Sequence, residues 1–278
     1  MSHADRVAYI LGDFRDVLRD MFLQDVIAPY RLLPSPVTDP DEVLAELTQN
    51  PTIGSDLTLI LLCSEEGDSL VSFIQRILEL RPKKGRVVVL SQDADCDGSL
   101  AIQWLRAGAR DFLDIGYPPG YLLDHVLGAI SGNLPYMEQI SLPLVTAPKD
   151  LFVITPFEHP SAIRDFHHGI VPACLSAFEL NPIRGDGRHA PSSVLESVTS
   201  MLDNAKIVIV NLSAYGGPPN ANVYFEVGYT HGKWPDKLIP LMRRNEPVPS
   251  NFSGMKLVQY SGCADLAIHL FHLLKGRS

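Results

Sequence analysis

Short apolar runs alternate with amphipathic helical stretches along the whole chain, and this alternation does most to limit what it can fold into. "RVAYIL" (6–11), "DLTLILL" (56–62), "RVVVLS" (86–91) and "DFLDI" (111–115) have the length and apolar character of buried strands. Between and after them come "RDVLRDMFLQ" (15–24), "LVSFIQRILEL" (70–80), "LAIQWLRAGA" (100–109, closed by Gly108) and "PGYLLDHVLGAI" (119–130), which space their apolar residues as helices do. The second half repeats the scheme. Strands are expected at "DLFVITPF" (150–157), "FELNPIRGDG" (178–187), "KIVIVNLS" (206–213) and "KLIPLM" (237–242). Helices are expected at "SAIRDFHHGIVPACLSA" (161–177), "SSVLESVTSMLDNA" (192–205), "NANVYFEVGYTHGK" (220–233) and "LAIHLFHLL" (266–274), with Pro172 kinking or splitting the first. Strands alternating with helices predict parallel, doubly wound α/β sheets. The 278 residues suit two such domains, 1–132 and 150–278. The Pro-bearing segment 133–149, without periodicity, reads as the linker.

Composition removes several function classes. With 46% hydrophobic and 20% charged residues the chain is globular. A net charge of −9 argues against a general binder of nucleic-acid backbones, so no direct nucleic-acid contact is expected. Cys63, Cys96, Cys174 and Cys263 are far apart, which suggests neither a zinc site nor a disulfide framework and fits a reducing cytoplasm. "MSHADRVAYILGDF" does not read as a signal peptide, and "LTLILLC" (57–63) is too short to cross a bilayer. "SQDADCDG" spaces Asp93, Asp95 and Asp97 as a calcium loop begins, but Trp104 stands where the closing Glu is needed, so no metal is expected.

Residues 5–131, and "RVVVLS…AIQWLRAGARDFLD" above all, resemble the receiver domain of bacterial response regulators. Receivers hold Mg²⁺ with an acidic pair after the first strand and accept phosphate on an Asp of the third. A Ser or Thr and a Lys contact the phosphoryl group. Here Asp13 remains beside Gly12, the acceptor position falls at Leu61, Ser91 is kept, and the Lys position falls at Ile115. Leu cannot be phosphorylated, so the resemblance implies a pseudo-receiver without a phosphoacceptor, kept for regulation, for homo-oligomer contacts or for a partner protein. Its fold, and that expected of the second half, is flavodoxin-like.

In such sheets ligands bind outside the carboxyl ends of the strands. In the second half those ends should present Thr155, Pro156 and Phe157, then Arg184 and Asp186, then Asn211 and Ser213. The helix "NANVYFEVGYTHGK" comes next, with Asn220 as its N-cap and Val223 and Val227 facing the sheet. Asn222 and Glu226 lie four apart on a neighbouring face, toward the ligand edge. Gly228 costs the helix about 1 kcal/mol against Ala, which suggests close approach to a backbone or ligand. His231, His167 and His168 read as ordinary helix residues.

"FVITPF", "IRGD", "AKIVIVNLS" and "NANVYFEVGYTHGK" together resemble nucleoside 2-deoxyribosyltransferase-like and Toll/interleukin-receptor-like domains of bacteria, over residues 150–262. The resemblance implies that Glu226 acts at the anomeric carbon of a ribosyl group as the base leaves. Pro156 and Phe157 would line the base or sugar pocket, with Arg184 and Asp186 at its edge. Asn211 replaces an Asp common in that group, and Ala205-Lys206 replaces its Ala-Asp. The resulting expectation is cleavage of the base–ribose bond of NAD or a related nucleotide, with no added cofactor. The alternative is a non-catalytic nucleotide-binding sensor or a signalling scaffold.

Overall fold

A computed structural model describes residues 6–12, 21–63, 68–82, 84–91, 97–132, 145–156, 159–185, 194–252 and 254–275. The chain divides into two compact units, 1–94 with 103–137 and 95–102 with 138–278. Each holds one five-stranded sheet.

In the first sheet β1 (Arg6–Leu11), β2 (Leu33–Pro34), β3 (Leu57–Cys63), β4 (Gly85–Ser91) and β5 (Asp111–Asp114) run in the order β2-β1-β3-β4-β5. All pairs are parallel, with Ile10 opposite Leu61 and Leu61 opposite Val88. The strands read as nearly unbroken Val, Leu and Ile because helices cover both faces of a parallel sheet. One layer of the core joins Leu59, Leu61, Val88, Leu113, Leu122 and Val126. The expected helices form at Asp68–Leu80, Gly98–Ala107 and Pro119–Ser131, and Gly108 takes the positive φ of 110° that ends the second. The helix expected at 15–24 falls largely outside the described residues; a π-helical turn occupies Leu23–Ile27.

One helix of this unit has no counterpart in the sequence reading. Pro40–Gln49 starts on Asp39, whose side chain accepts from the Asp41 and Glu42 N–H groups. Its far end meets Arg81, which is 6% exposed. That guanidinium donates to the carbonyls of Leu47, Asn50, Ile53 and Leu80 instead of to a carboxylate. A buried cation therefore satisfies main-chain acceptors that a helix end and its turn leave over.

The second sheet contains β6 (Leu151–Ile154), β7 (Ile183–Arg184), β8 (Ile207–Asn211), β9 (Leu238–Arg243) and β10 (Val258–Tyr260), in the order β10-β9-β8-β6-β7. All its pairs are again parallel. Counted within its own unit, its order is that of the first sheet, so the chain is two flavodoxin-like α/β sheets in tandem. Expected strand 178–187 shrinks to the two residues of β7, and β10 has no counterpart among the expected strands.

The split expected at Pro172 takes a specific form. Pro160–Asp165 is α-helical, Phe166–Ile170 is a π turn, and an α-helix resumes over Val171–Phe178 with Pro172 in its first turn. Gly169, inside the π turn, faces the Cys263–Lys275 helix. A Cβ there would stand 2.7 Å from Leu266 Cδ2 and 3.3 Å from the Cys263 carbonyl oxygen, so the close contact requires glycine.

Candidate functional site

Ligands of an open parallel sheet lie where neighbouring strands send their connections to opposite faces, at the strands' carboxyl ends. In the second unit this point is between β6 and β8. An open cleft of about 580 Å³ occurs there, lined among others by Pro156, His159, Ser213, Tyr215, Pro219 and Asn222. The His159 and Tyr215 rings stack at 4.7 Å and 15° along it. His159 is held because its Nδ1 accepts from the Ser161 N–H and caps the Pro160–Asp165 helix. On the opposite wall the Ala221–Lys233 helix starts as expected, Asn220 Oδ1 accepting from the Asn222 and Val223 N–H groups.

Behind the cleft lies a buried polar network that the sequence reading does not contain. Asp165 is fully buried and stands at the start of the π turn. It accepts hydrogen bonds from the Tyr215 and Tyr260 hydroxyls, each at 2.6 Å, from Arg243 Nη2 at 2.9 Å and Nε at 3.3 Å, and from Cys263 Sγ at 3.5 Å. Both tyrosine hydroxyls sit well above their ordinary range, through burial first and then through neighbouring charge, that of Asp165 included. Burial works against the Arg243 charge, but the hydrogen bonds and charge of Asp165 outweigh it and hold the guanidinium protonated.

Asn211 completes this network, which explains the residue type. The tyrosines give their protons to Asp165, so their lone pairs need donors. Asn211 Nδ2 supplies two, at 2.6 Å to Tyr215 and 3.0 Å to Tyr260, while its Oδ1 accepts from the Ser213 N–H. A carboxylate at 211 would have no N–H to give and would add a second negative charge near Asp165. Asn211 was expected among the ligand-binding residues. It is instead fully buried and does not line the cleft, because its donors are engaged behind it. Ser213 does both: it lines the cleft, and its Oγ meets Tyr260 Oη at 3.2 Å and accepts from the Arg243 N–H.

The other expected site residues separate. Pro156 and Asn222 line the cleft. Thr155 is 1% exposed at the end of β6, and its Oγ1 has no hydrogen-bond partner among the described residues. Phe157 and Asp186 lie outside the described residues, as do Asp13, Asp93 and Asp95. The Arg184 guanidinium lies 4.9 Å over the Phe166 ring and is not part of the cleft wall. Glu226 is 8% exposed, in the second turn of the helix whose first turn borders the cleft. Its carboxyl has no hydrogen-bond or ion-pair partner among the described residues, and burial pushes it up to about 7. It does not line the described cleft. A Cβ at Gly228 would meet nothing within 4 Å, so among the described residues no other backbone makes a close approach there. That role belongs to Gly169.

In the first unit the receiver positions are apolar or buried. Leu61 and Ile115 are 0% and 7% exposed, Ser91 is buried, and Gly12 takes a φ of 91°. Among the described residues no group of three or more His, Cys, Asp and Glu side chains could hold a metal ion, and no helix is long and apolar enough to cross a membrane.

No protein-family model matches the chain, and no curated protein does. Solved structures share its fold over about half its length. A response regulator from Thermotoga maritima is 22% identical, over 45% of this chain and 98% of its own, with a TM-score of 0.35. A CheY-like protein (tadZ) from Pseudomonas aeruginosa is 20% identical, over 51% and 99%, with a TM-score of 0.32. A pilus assembly-related protein from Burkholderia pseudomallei is 15% identical, over 47% and 94%, with a TM-score of 0.34. Likenesses at this level carry no argument about activity.

Proposed function

We propose that the second unit binds a nucleotide in the cleft between the ends of β6 and β8 and cleaves its N-glycosidic bond, with Glu226 as the acting carboxyl. NAD is the leading substrate class. The observation that carries this reading is the state of Glu226: a carboxyl buried without a partner among the described residues, raised to about 7, on the helix that borders the cleft. Structural carboxylates are normally paired, and raised ones gather at functional sites. The stacked His159–Tyr215 pair and the prolines offer a flat, apolar wall for a base.

Breaking the C1′–N bond sends its electron pair to the base and leaves positive charge on the ribose. An ionised Glu226 stabilises that charge or forms an ester with C1′, and water then adds at C1′ to complete hydrolysis. A pyridinium base leaves neutral and needs no proton, whereas a neutral purine needs one. A carboxyl poised near 7 is available in both protonation states at neutral pH. In this reading the receiver-like unit, with Leu61 at the acceptor position, acts by regulation or assembly and not by phosphoryl transfer.

A second reading, a sensor that binds without turnover, is favoured by one observation: Glu226 does not line the described cleft. Incubation with NAD and with nucleosides, followed by chromatography of released bases, separates the two. Catalysis predicts release by the wild type that is lost in Glu226→Gln while ligand binding persists. Binding without base release by either protein establishes the sensor instead.

A further inference from the structure

A second, smaller cavity of about 270 Å³ adjoins the same edge, and Tyr215 lines both. Its other walls include Ser161, Arg243, Arg244, Glu246 and Ser261. Two successive main-chain N–H groups, those of Ala214 and Tyr215, point at one carboxylate there. Glu246 accepts from Ala214 through Oε2 and from Tyr215 through Oε1, the latter at 2.9 Å. Tyr215 and Gly216 have φ of 52° and 79°, and such left-handed residues curl a loop so that consecutive N–H groups face a common point. Loops of this kind form concavities that hold anions. The chain has thus built an oxyanion cradle beside two guanidinium groups and filled it with its own carboxylate.

Charge makes Glu246 the deciding group. Arg243 is answered by Asp165, with which it pairs at 2.9 Å. Arg244 and Glu246 are the other charged side chains of the cavity wall, and Glu246 is the one carboxylate among its described lining residues. Without the Glu246 charge the cavity offers a pair of convergent N–H donors beside two guanidinium groups. Glu246 sits on the turn after β9, three residues past the strand's end, and its own N–H bonds back to the Arg243 carbonyl. Its side chain can leave the cradle by rotation about its own bonds, without moving the sheet.

We propose that this cavity receives the phosphate of a phosphorylated ligand, and that the phosphate displaces Glu246 from the Ala214 and Tyr215 N–H groups. The identity of the remainder of the ligand rests on the nucleotide reading of the larger cleft; the phosphate site does not. Isothermal titration of the full chain with AMP, adenosine and inorganic phosphate tests the two apart. Glu246→Gln, which keeps the shape and removes the charge, should bind AMP about tenfold more tightly than the wild type, with adenosine unchanged. Arg244→Ala should weaken AMP by about tenfold and leave adenosine unchanged. Thermal melts of both variants report whether the loop is intact. If Glu246→Gln loosens it, the Arg244→Ala comparison decides. Equal AMP affinity in the wild type and a stably folded Glu246→Gln, or an unaltered preference for AMP over adenosine in Arg244→Ala, overturns the proposal. Inorganic phosphate that binds Glu246→Gln more tightly than wild type, with no binding of adenosine to either, sinks the nucleoside reading of the larger cleft and upholds the phosphate site.

Discussion

At the carboxyl ends of the first sheet stand Leu61 and Ile115, buried and apolar, where the receiver resemblance places an acceptor and a lysine. At the same ends of the second sheet stand Thr155, Asn211, Ser213, Arg243 and Tyr260. Both sheets have one strand order and the same apolar interior, so topology does not separate them. Ser91 and Asp114 are buried at the carboxyl ends of the first sheet as well, so what separates the two is how far each gathers its buried polar groups. In the first unit Arg81 serves a helix end and His125 bonds Asp111 at 2.7 Å under the Pro119–Ser131 helix. These groups complete local structure. In the second unit Asp165 draws donors from β9, β10, a loop and a helix to one point beside a cleft. A fold of this kind hosts chemistry only where its strand ends are furnished for it.

Removing each polar hub measures this contrast. Asp165→Ala should have the largest effect, about 3–5 kcal/mol on the unfolding of the second unit, because Arg243 and two tyrosine hydroxyls lose their shared acceptor. Urea denaturation with probes in each half checks both the size and the unit affected. Arg81→Met should cost about 2–3 kcal/mol and act on the first unit, since it orphans several carbonyls but strands no opposite charge. Equal effects of the two substitutions would erase the distinction between the units.

Glu226→Gln sharpens the comparison by its sign. The folded carboxyl titrates at about 7 against an ordinary 4.5, so between these values the folded state binds more protons than the unfolded one. Its contribution to stability therefore falls as pH rises from 4.5 toward 7 and is level above. The variant should match the wild type near pH 5 and exceed it by about 1–2 kcal/mol at pH 8, read from melting temperatures across that range. A variant that is less stable at pH 8 would mean that the carboxylate has a partner. The smallest effect concerns the helix glycine: Gly228→Ala should stabilise by up to about 1 kcal/mol, its Cβ having open space, and leave ligand binding unchanged.

The strands and most helices are legible in the sequence because periodicity and length agree in them. "KIVIVNLS" cannot be anything but a buried strand, and Asn220 announces its helix. β2 and β10 are not, since two or three residues show no period. The Pro40–Gln49 helix does carry a readable signal, in Asp39, Pro40, Val43 and Leu47. Asp165 also leaves a trace: it falls with Ala162, Phe166, Gly169 and Ile170 on one stripe, and an acidic residue within an apolar stripe is a buried one. Its partners cannot be read, for Tyr215, Arg243 and Tyr260 are 50, 78 and 95 residues away. The misplaced glycine role has a similar cause. Sequence shows that a helix contains Gly169 or Gly228 but not which of them faces another helix.

The π turn at Phe166–Ile170 carries one consequence of its own. Such a turn holds one residue more than an α-helical turn closing the same gap. Deleting that residue would restore an even helix and leave the segments before and after it in nearly the same phase. Asp165 and the His159 cap lie before the turn, while Gly169 faces Leu266 within it. The turn thus takes up an extra residue without carrying Asp165 off the face that its partners share. A single-residue deletion there should spare the Asp165 network, whereas the same deletion within the even Val171–Phe178 helix would turn one flank against the other by about 100°.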